Sequence, residues 1–475
     1  MKRNILVCLL ALLLPCLAVA HDFEVDGIYY NITSEERKTV EVTDPSDKKV
    51  VDGGYKSYKD VVFIPEKVSY DGKEYTVTAI GERAFEYNYE LLSVVMPNTI
   101  RSIKEFAFNG CINLKSLTIS SEVSEIGDYA FMGLSSLEHL AVDCHNKTFD
   151  SRGDCNAIIR TMTNTLLVGC KATVIPDGVE VIAGNAFISC QDTSIEPFEL
   201  NFPPSVEIIE PFAFNSCYPL SAVTFSEGLR RIGRWAFMGT SIECLEIPAS
   251  VTEIDEQAFI SCDSLKVIKV RKGNKVYDSR KGCNAIIESA TGCLLQGCEN
   301  TTVPDGVKVI SGSAFYRSKI KKIKLPSSLE TIERGAFAEC KELKKLVIPG
   351  SVKIIELEIL CGSGIEELIV ENGVEEISDY AFFECRKLRY VSLPASLKMF
   401  GSDGAVFVDC PELVRVDVDK DNEYYCSNGQ VIVNKRTMTV VDGWGTESCN
   451  AADFSKELLP TRIGNNAFRK QNNLS

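Results

Sequence analysis

The side chains that commonly do acid–base or nucleophilic chemistry are scarce and scattered in this sequence. Histidine occurs only at positions 21, 139 and 145. A serine or cysteine hydrolase needs a base held beside its nucleophile. The sequence has neither a G-x-S-x-G motif nor a Cys/His set with a plausible third member. These residues therefore predict no nucleophilic hydrolase.

Cysteine and histidine could instead bind zinc, as in Cys144 and His145 together with Cys155 and Cys170. A second copy of this segment, later in the chain, has Lys272-Gly273 in place of the first pair, which argues against a zinc site. The sequence has no phosphate-binding loop, dinucleotide fingerprint or calcium loop. We therefore expect no metal and no other cofactor.

Carboxylates are abundant, so a pair of acids acting as in a glycosidase is compatible with the residue types present. Most acids, however, lie in turns beside isoleucines that we expect to be buried, as do Glu125, Glu253 and Glu333. A solvated face is the favoured interpretation. A secreted glycan hydrolase is the less favoured alternative to a protein without enzymatic activity.

One tripeptide is a candidate ligand for another protein. Arg152-Gly153-Asp154 is the sequence that many extracellular adhesion proteins offer to integrins, and it lies within DSRGDC, residues 150–155. The second copy reads DSRKGC, so two of the three positions differ. Two interpretations stay open: a working integrin ligand, or a product of sequence drift in a loop.

The elements that position these residues are short repeats. Ala-Phe pairs recur at a basic spacing, as from Phe85 to Phe108, and some units are one residue shorter. In one unit, Leu117-Thr118-Ile119 alternates as a short strand, but the unit as a whole has neither a helical nor a strand period. We predict a strand, a turn and an irregular or helical arm in each unit. No unit can bury its apolar face alone, so neighbouring units must stack.

Two intervals between Ala-Phe pairs, Phe131 to Phe187 and Phe259 to Phe315, are equal in length and more than twice the basic spacing. They contain related cassettes, DSRGDCNAIIRTMTNTLLVGC and DSRKGCNAIIESATGCLLQGC. In each, two apolar runs surround a polar four-residue centre. This pattern predicts a β-hairpin that projects from the coil. Hairpins are thus expected near residues 144–170 and 272–298, and a divergent third copy near 420–446.

Cysteines fall into two classes. If each hairpin turn centres on its four polar residues, Cys155 faces Cys170 and Cys283 faces Cys298, within disulfide range. Two disulfides or two pairs of adjacent free thiols are both compatible with the sequence, because the third cassette lacks matching cysteines. Seven other cysteines follow the repeat aromatic by three positions and are predicted to be reduced core residues.

The strand alternation places Lys269, Lys322, Lys324 and Lys345 on the outward face of three consecutive repeats. Such a basic patch in an acidic protein would suit an anionic glycan or an acidic protein segment, and its binding would weaken with salt. The alternative is that these lysines only keep an exposed sheet soluble.

Charge and the amino terminus bear on location and partners. The net charge of -15 argues against nucleic acid or an anionic membrane as the main partner. Residues 1–20 combine a basic start, an apolar run and Ala18-Val19-Ala20, which predicts a signal peptide and export. The cell surface or the extracellular space is expected; the periplasm, or an outer membrane anchor through a lipid on Cys16, are alternatives. No later stretch predicts a membrane span, and nothing indicates an oligomeric state.

Units such as LKKLVIPGSVKII and LRYVSLPASL resemble the leucine-rich repeats of BspA-like surface proteins of Bacteroides-type bacteria. The resemblance covers residues 79–475, and HDFEVDGIYYNITS resembles the amino-terminal region of such proteins. It implies an α/β-type repeat solenoid, a right-handed leucine-rich repeat coil with short parallel β-strands on its concave face. Residues 79–475 would hold about 13 units of roughly 22–23 residues, and residues 21–78 would form an amino-terminal β cap.

The resemblance also implies a function. It indicates a non-enzymatic recognition protein that adheres to host matrix proteins, to glycans or to other microbes. A structural component of the cell envelope is the alternative, because fold alone does not fix function.

Overall fold

A computed structural model of the chain describes residues 21–44, 58–191, 193–401, 406–444, 460–464 and 467. The predicted signal peptide lies outside the described residues. The chain divides into two units: unit 1 comprises the described parts of Met1–Met162 with Gly169–Ala172, and unit 2 those of Thr163–Val168 with Thr173–Ser475. No helix of the described residues combines the length and hydropathy of a membrane span.

The first strands of unit 1 precede the Ala-Phe repeats. They are β1 (Phe23–Val25), β2 (Ile28–Ser34), β3 (Thr39–Thr43), β4 (Asp60–Phe63), β5 (Lys67–Tyr70) and β6 (Lys73–Ile80). β1, β2 and β3 pair antiparallel in sequence order, and β5 pairs antiparallel with β6. β3 and β6 pair in parallel, so this region ends in the parallel arrangement that the repeats continue.

Most repeats begin with a long strand of four or five residues. The long strands are β7 (Leu91–Val95), β9 (Ser116–Ile119), β11 (His139–Val142), β16 (Phe198–Asn201), β18 (Leu220–Thr224), β20 (Cys244–Ile247), β22 (Val267–Val270), β28 (Lys345–Ile348), β30 (Glu367–Val370), β32 (Tyr390–Leu393) and β34 (Arg415–Val418). They pair in parallel, in the order β4-β7-β9-β11 in unit 1. In unit 2 they form three separate sheets, β16-β18, β20-β22 and β28-β30-β32-β34.

A second, two-residue strand follows the long strand. These short strands are β8 (Ser102–Ile103), β10 (Glu125–Ile126), β15 (Val181–Ile182), β17 (Ile208–Ile209), β19 (Arg231–Ile232), β21 (Glu253–Ile254), β26 (Val309–Ile310), β27 (Thr331–Ile332), β29 (Ile354–Ile355), β31 (Glu376–Ile377), β33 (Met399–Phe400) and β38 (Arg462–Ile463). They also pair in parallel between neighbouring turns, as in β6-β8-β10 of unit 1 and β15-β17-β19-β21 of unit 2. The predicted repeat solenoid is confirmed.

The arm that carries each Ala-Phe pair is a run of tight turns. In one arm Phe106 and Gly110, which lie two positions before and after Phe108, have φ of 54° and 72°. The N–H groups of Phe106, Phe108 and Gly110 donate to carbonyls of the following turn at 3.2, 2.8 and 2.8 Å. The arm is thus the irregular alternative and not the helical one. The helical segments of the described residues are three 3₁₀ turns, at Arg152–Asp154, Ile188–Cys190 and Arg280–Gly282.

The core is a column of stacked rings. In unit 1 the ring centroids of Phe85 and Phe108 are 5.1 Å apart, and those of Phe108 and Phe131 are 5.8 Å apart, with near-parallel planes. In unit 2 Phe315 stacks on Phe337 at 5.1 Å. Each of these rings is at most 2% exposed, so a repeat buries its aromatic side chain mainly against its neighbours.

The cysteines that follow the aromatic by three positions are buried and form no disulfide, as predicted. Each of three such thiols can donate to the carbonyl of the aromatic residue one turn earlier. Cys111 Sγ lies 2.8 Å from the Phe85 carbonyl, and Cys262 and Cys340 repeat the contact at 3.2 and 3.0 Å. Burial raises the pKa of Cys111, Cys262 and Cys340 to about 12, so these thiols are neutral at pH 7.

The cassettes contribute three strands each. They are β12 (Phe149–Asp150), β13 (Ala157–Arg160) and β14 (Thr165–Gly169), then β23 (Tyr277–Asp278), β24 (Ala285–Glu288) and β25 (Cys293–Gly297), and finally β35 (Tyr425–Ser427), β36 (Val431–Asn434) and β37 (Thr439–Gly443). In the second cassette β24 and β25 form the antiparallel hairpin, and β25 pairs in parallel with β26. Ala285, Ile286 and Ile287 are fully buried. The expectation of a projecting hairpin is therefore wrong here, because the hairpin continues the short-strand sheet.

The third cassette buries a carboxyl group. Asp442, in β37, is 4% exposed, and its Oδ1 accepts a hydrogen bond from the Gly443 N–H at 2.9 Å. Burial raises the pKa of Asp442 well above its ordinary value, although backbone donors oppose the shift. The folded chain therefore holds this proton more tightly than the unfolded chain does.

Phe337→Ala should lower the free energy of unfolding by about 3–5 kcal/mol, because it leaves a cavity in the ring column. Denaturant titration of the variant against the exposed-site control Ser327→Ala will measure the difference. Equal midpoints for the two variants would contradict a stabilising ring column.

Asp442→Asn should stabilise the chain at pH 7 by on the order of 1–3 kcal/mol, since it removes a carboxyl group that must either be buried as a charge or take up a proton on folding. Because the folded pKa is raised, the stability that Asp442 contributes is fully present below about pH 4 and is lost as the pH rises through the folded value. Thermal unfolding from pH 4 to pH 8 should show the two chains converging in acid. A constant difference across this range would show that Asp442 does not titrate.

Candidate functional site

One asparagine in each cassette contacts the preceding turn of the solenoid. In the second cassette Asn274 Nδ2 donates to the carbonyls of Pro248 and Val251, both at 2.9 Å, while its Oδ1 accepts the N–H groups of Val276 and Tyr277 at 2.9 and 2.8 Å. The side chain thus uses both donors and both acceptor sites. Equivalent residues make the same four contacts in the other cassettes, with distances of 2.7–2.9 Å. These residues are Asn146 and Asn422.

The arginine of the integrin-type tripeptide has a structural contact. Arg152 Nε and Nη2 donate to the two carboxylate oxygens of Asp150 at 2.8 and 2.7 Å. In the second cassette Arg280 makes the same fork with Asp278 at 2.8 and 2.6 Å, although no Arg-Gly-Asp sequence is present there. The shared contact explains why both cassettes have arginine at this position, independently of any ligand.

The arginines lower the pKa of the carboxylates that they contact, Asp150 and Asp278. Burial acts to raise the pKa of Asp150, but hydrogen bonds from Arg152 and Thr161 outweigh it and the pKa is lowered. The same balance, with Arg280 and a serine hydroxyl as donors, lowers the pKa of Asp278. Both carboxylates are therefore ionised partners of the fork at pH 7.

The rest of the tripeptide forms a tight turn. Gly153 and Asp154 both have positive φ, at 67° and 51°, and they end a 3₁₀ turn that begins at Arg152. Asp154 is exposed, whereas Arg152 is partly buried against Asp150. The Asp154 carboxylate is therefore more accessible to a partner than the Arg152 guanidinium. Whether Arg152, Gly153 and Asp154 bind a partner stays a prediction.

The four lysines of the predicted basic patch are exposed but have different surroundings. Lys345 Nζ pairs with Glu367 at 2.8 Å. Lys269 lies beside Glu246 in the strand register and lines a hollow of about 200 Å³. Lys322 and Lys324 make no ion pair with any described residue. The four lysines thus differ in whether a carboxylate lies nearby. The surroundings of Lys322 and Lys324 are the most cationic.

Lys322 and Lys324 line a groove of about 550 Å³, which we call the lysine groove. Its other lining residues include Lys281 of the second cassette and the segment from Thr301 to Asp305. Lys281 was not predicted as a site residue. The sequence offered one indication, since Lys281 lies in the RKG sequence that aligns with Arg-Gly-Asp. The packing of the cassette against residues 322–326 could not be predicted from the sequence.

The cysteines of the hairpins do not face one another as expected. Ala285 pairs with Gly297, and a register shift follows between Ile286 and Ile287. This bulge offsets the strands by one residue, so Cys298 lies next to the Asn284 carbonyl at 3.5 Å and not opposite Cys283. Both thiols are free in the structure.

The first cassette has the same thiol arrangement. Cys155 and Cys170 are buried and form no disulfide, and Cys170 Sγ lies 3.6 Å from the Asn156 carbonyl. The disulfide alternative considered for both hairpins is thus not present in this structure. The physical reason, seen directly in the second cassette, is the bulge that displaces one strand against the other.

One exposed group in unit 1 has the side chains of a metal site. Ligand atoms of Asp143, Cys144 and His145 lie within 4.8 Å of one another. His145 Nδ1 is 3.0 Å from Asp143 Oδ1, which is a local contact between residues two positions apart. Cys155 and Cys170 are not part of this group.

The sequence reading missed an apolar surface at the edge of unit 1. β4 pairs in parallel with β7, which places Phe63 beside Val95. Both side chains point outward and are exposed, Phe63 at 68%. The signal was the Phe-Ile-Pro sequence at 63–65, which matches the end of a repeat strand, as in Val347-Ile348-Pro349.

The repeat geometry agrees with comparisons to known proteins. Six copies of a family model described as a BspA type leucine rich repeat region match residues 181–291, 293–414 and 361–475, together more than half of the chain. The chain belongs to the BspA-type leucine-rich repeat proteins. The predicted resemblance of the repeat units to BspA-like leucine-rich repeats is confirmed. A comparison with curated proteins found no match.

Solved structures include similar leucine-rich repeat proteins. A leucine rich cell surface protein from Faecalibacterium prausnitzii is 23% identical, with 84% of this chain and 94% of that chain covered and a TM-score of 0.52. A leucine-rich repeat protein from Bacteroides ovatus is 24% identical, with 85% and 96% covered and a TM-score of 0.41. The first likeness supports the fold of this BspA-type chain.

Arg280→Ala and Arg152→Ala should each lower the free energy of unfolding at pH 7 by about 1–3 kcal/mol, because each leaves a partly buried carboxylate without its partner. The exposed neighbour Lys281→Ala is the matched control and should have no effect. Since the aspartate pKa is lowered in the folded state, the stabilisation is present above about pH 4 and is lost as the pH falls through the folded value. Denaturant titrations at pH 7 and pH 3 will measure this. A loss of the same size at both pH values would contradict an ionic fork.

Proposed function

We propose that this BspA-type protein is a non-enzymatic recognition protein of the cell surface or the extracellular space. It binds proteins or glycans of a host or of other microbes through its repeat surface. The observation that carries the proposal is the exposure of the outward side chains on the long strands, within each unit taken by itself. Thr118, Lys269 and Lys345 are exposed there, and each has a buried neighbour in its strand. Exposed side chains whose backbone is fixed in a strand can contact a ligand with little loss of conformational freedom.

Location is supported by two observations. The related Faecalibacterium protein is named a cell surface protein, and the signal peptide predicted in residues 1–20 suits the same location. The family is one of repeat proteins that bind, which supports recognition over catalysis.

The tripeptide is a secondary candidate for the contact with a host. Asp154 is exposed, which favours an integrin ligand, but Arg152 is held by Asp150, which does not. The lysines of the lysine groove have no such ion-pair partner among the described residues. We therefore expect Asp154→Glu to leave binding to host matrix proteins unchanged.

The test is an array of host matrix proteins and glycans probed with the mature chain predicted here, residues 21–475, and with its Asp154→Glu variant. Saturable binding of at least one component, equal for the two chains, is expected. Loss of binding in Asp154→Glu would assign recognition to the tripeptide. No binding by a folded chain would favour the cell-envelope role. Turnover of glycans in a parallel activity panel would contradict the non-enzymatic proposal.

A further inference from the structure

The succession of long strands in unit 2 is interrupted at residues 320–325, between the sheets β20-β22 and β28-β30-β32-β34. This segment has the sequence position of a long strand between β22 and β28. β22 pairs only with β20, however, and β28 pairs only with β30 among the described strands. Residues 320–325 make no backbone–backbone hydrogen bond with any described residue. Their N–H and C=O groups therefore lack the backbone partners that a paired strand would provide.

The interruption also uncovers a core position. Leu245 and Leu346 occupy the inward position of the long strand in their repeats and are at most 1% exposed. Ile323 holds the equivalent position in its repeat but is only partly buried, and it lines the lysine groove. A segment lying along residues 320–325 would cover this side chain as a neighbouring strand does elsewhere.

The charge of the groove is unbalanced. Lys281, Lys322 and Lys324 line it and are exposed, and none makes an ion pair with a described residue. Asp305 is the one acidic residue among its lining residues. Three ammonium groups around a partly apolar floor of Val303 and Ile323 form an anion-attracting surface in a chain whose net charge is strongly negative.

The first cassette has a different sequence at the corresponding positions. Gly153, Glu199 and Asn201 align with the three lysines. The corresponding strand β16 is formed and pairs with β18. The unpaired segment 320–325 and the cationic groove thus occur together at the second cassette, and neither is a general property of an inserted cassette.

We propose that the lysine groove binds an extended acidic peptide segment of a partner protein, which pairs with residues 320–325 as an added strand. Its backbone would use the unpaired N–H and C=O groups, its carboxylates would contact the lysines, and its apolar side chains would cover Ile323. The unpaired backbone favours a peptide over an acidic glycan, because a glycan cannot form the regular ladder of a strand. The inference rests on the proposed recognition function and names the partner chemistry of one site.

The probe is a synthetic peptide of about eight residues, within the usual length of a strand, that alternates glutamate with valine. Its binding to the chain of residues 21–475 is measured by fluorescence anisotropy at low and physiological salt. Lys322→Glu/Lys324→Glu should weaken binding by at least about tenfold, since two attractive charges become repulsive. Lys272→Glu/Lys275→Glu makes the same charge change at exposed lysines of the second cassette that do not line the groove, and it should bind as the parent does.

Two further probes separate the alternatives. A peptide of identical side chains with alternate backbone nitrogens methylated should not bind, because it cannot form the ladder; equal binding would overturn strand addition. A sulfated glycan that binds the parent but not Lys322→Glu/Lys324→Glu, in the absence of peptide binding, would overturn the proposal in favour of a glycan site.

The outcome is distinguishable from that of the matrix array. Array binding without peptide binding would overturn the groove inference while the recognition function stands. Peptide binding with the expected variant pattern would support the groove even if no array component binds, and it would then restrict the partner to proteins absent from the array.

Discussion

Each turn of this protein depends on the next turn to cover its aromatic ring and to accept its backbone N–H groups. The N–H groups around Phe108 donate to carbonyls of the following turn, and the ring stacks on the rings before and after it. Both contacts require a constant rise and register from turn to turn. The nearly constant length of the repeat follows, because a length change is tolerated only where it spares the ring and the two strands.

The same constraint governs how extra sequence is inserted. A cassette must leave the preceding turn with satisfied carbonyls, and Asn274 does this by donating to two of them while it accepts the first N–H groups of the cassette. The hairpin then joins the short-strand sheet through β25. After the second cassette, residues 320–325 pair with no described long strand, whereas β16 after the first cassette pairs with β18. The lysine groove lies along these unpaired residues.

Local pattern and repetition were enough to predict the strand at Leu117-Thr118-Ile119, the stacking of neighbouring repeats and the reduced cysteines of the core. These features depend on residues within one turn and its copies, so the sequence period reports them directly. The hairpin register was not predictable, because the pairing skips Leu295 of β25 opposite Ile286 and Ile287, and this bulge changes which side chains face each other. The role of Lys281 was missed for a related reason: it depends on packing between segments that lie far apart in the sequence.

The burial of the thiols determines how the chain would withstand oxidation outside a reducing compartment. The Cys111 thiol, whose pKa is raised to about 12 and which is hydrogen-bonded to a carbonyl inside the coil, has almost no thiolate at neutral pH and is shielded from oxidants. The folded chain can therefore keep many cysteines without exchanging disulfides. Once unfolded, the same thiols recover ordinary reactivity and can cross-link in wrong pairs. Oxidation of the unfolded chain would make unfolding irreversible. In an oxidising environment, the lifetime of the folded protein would therefore depend on its rate of unfolding.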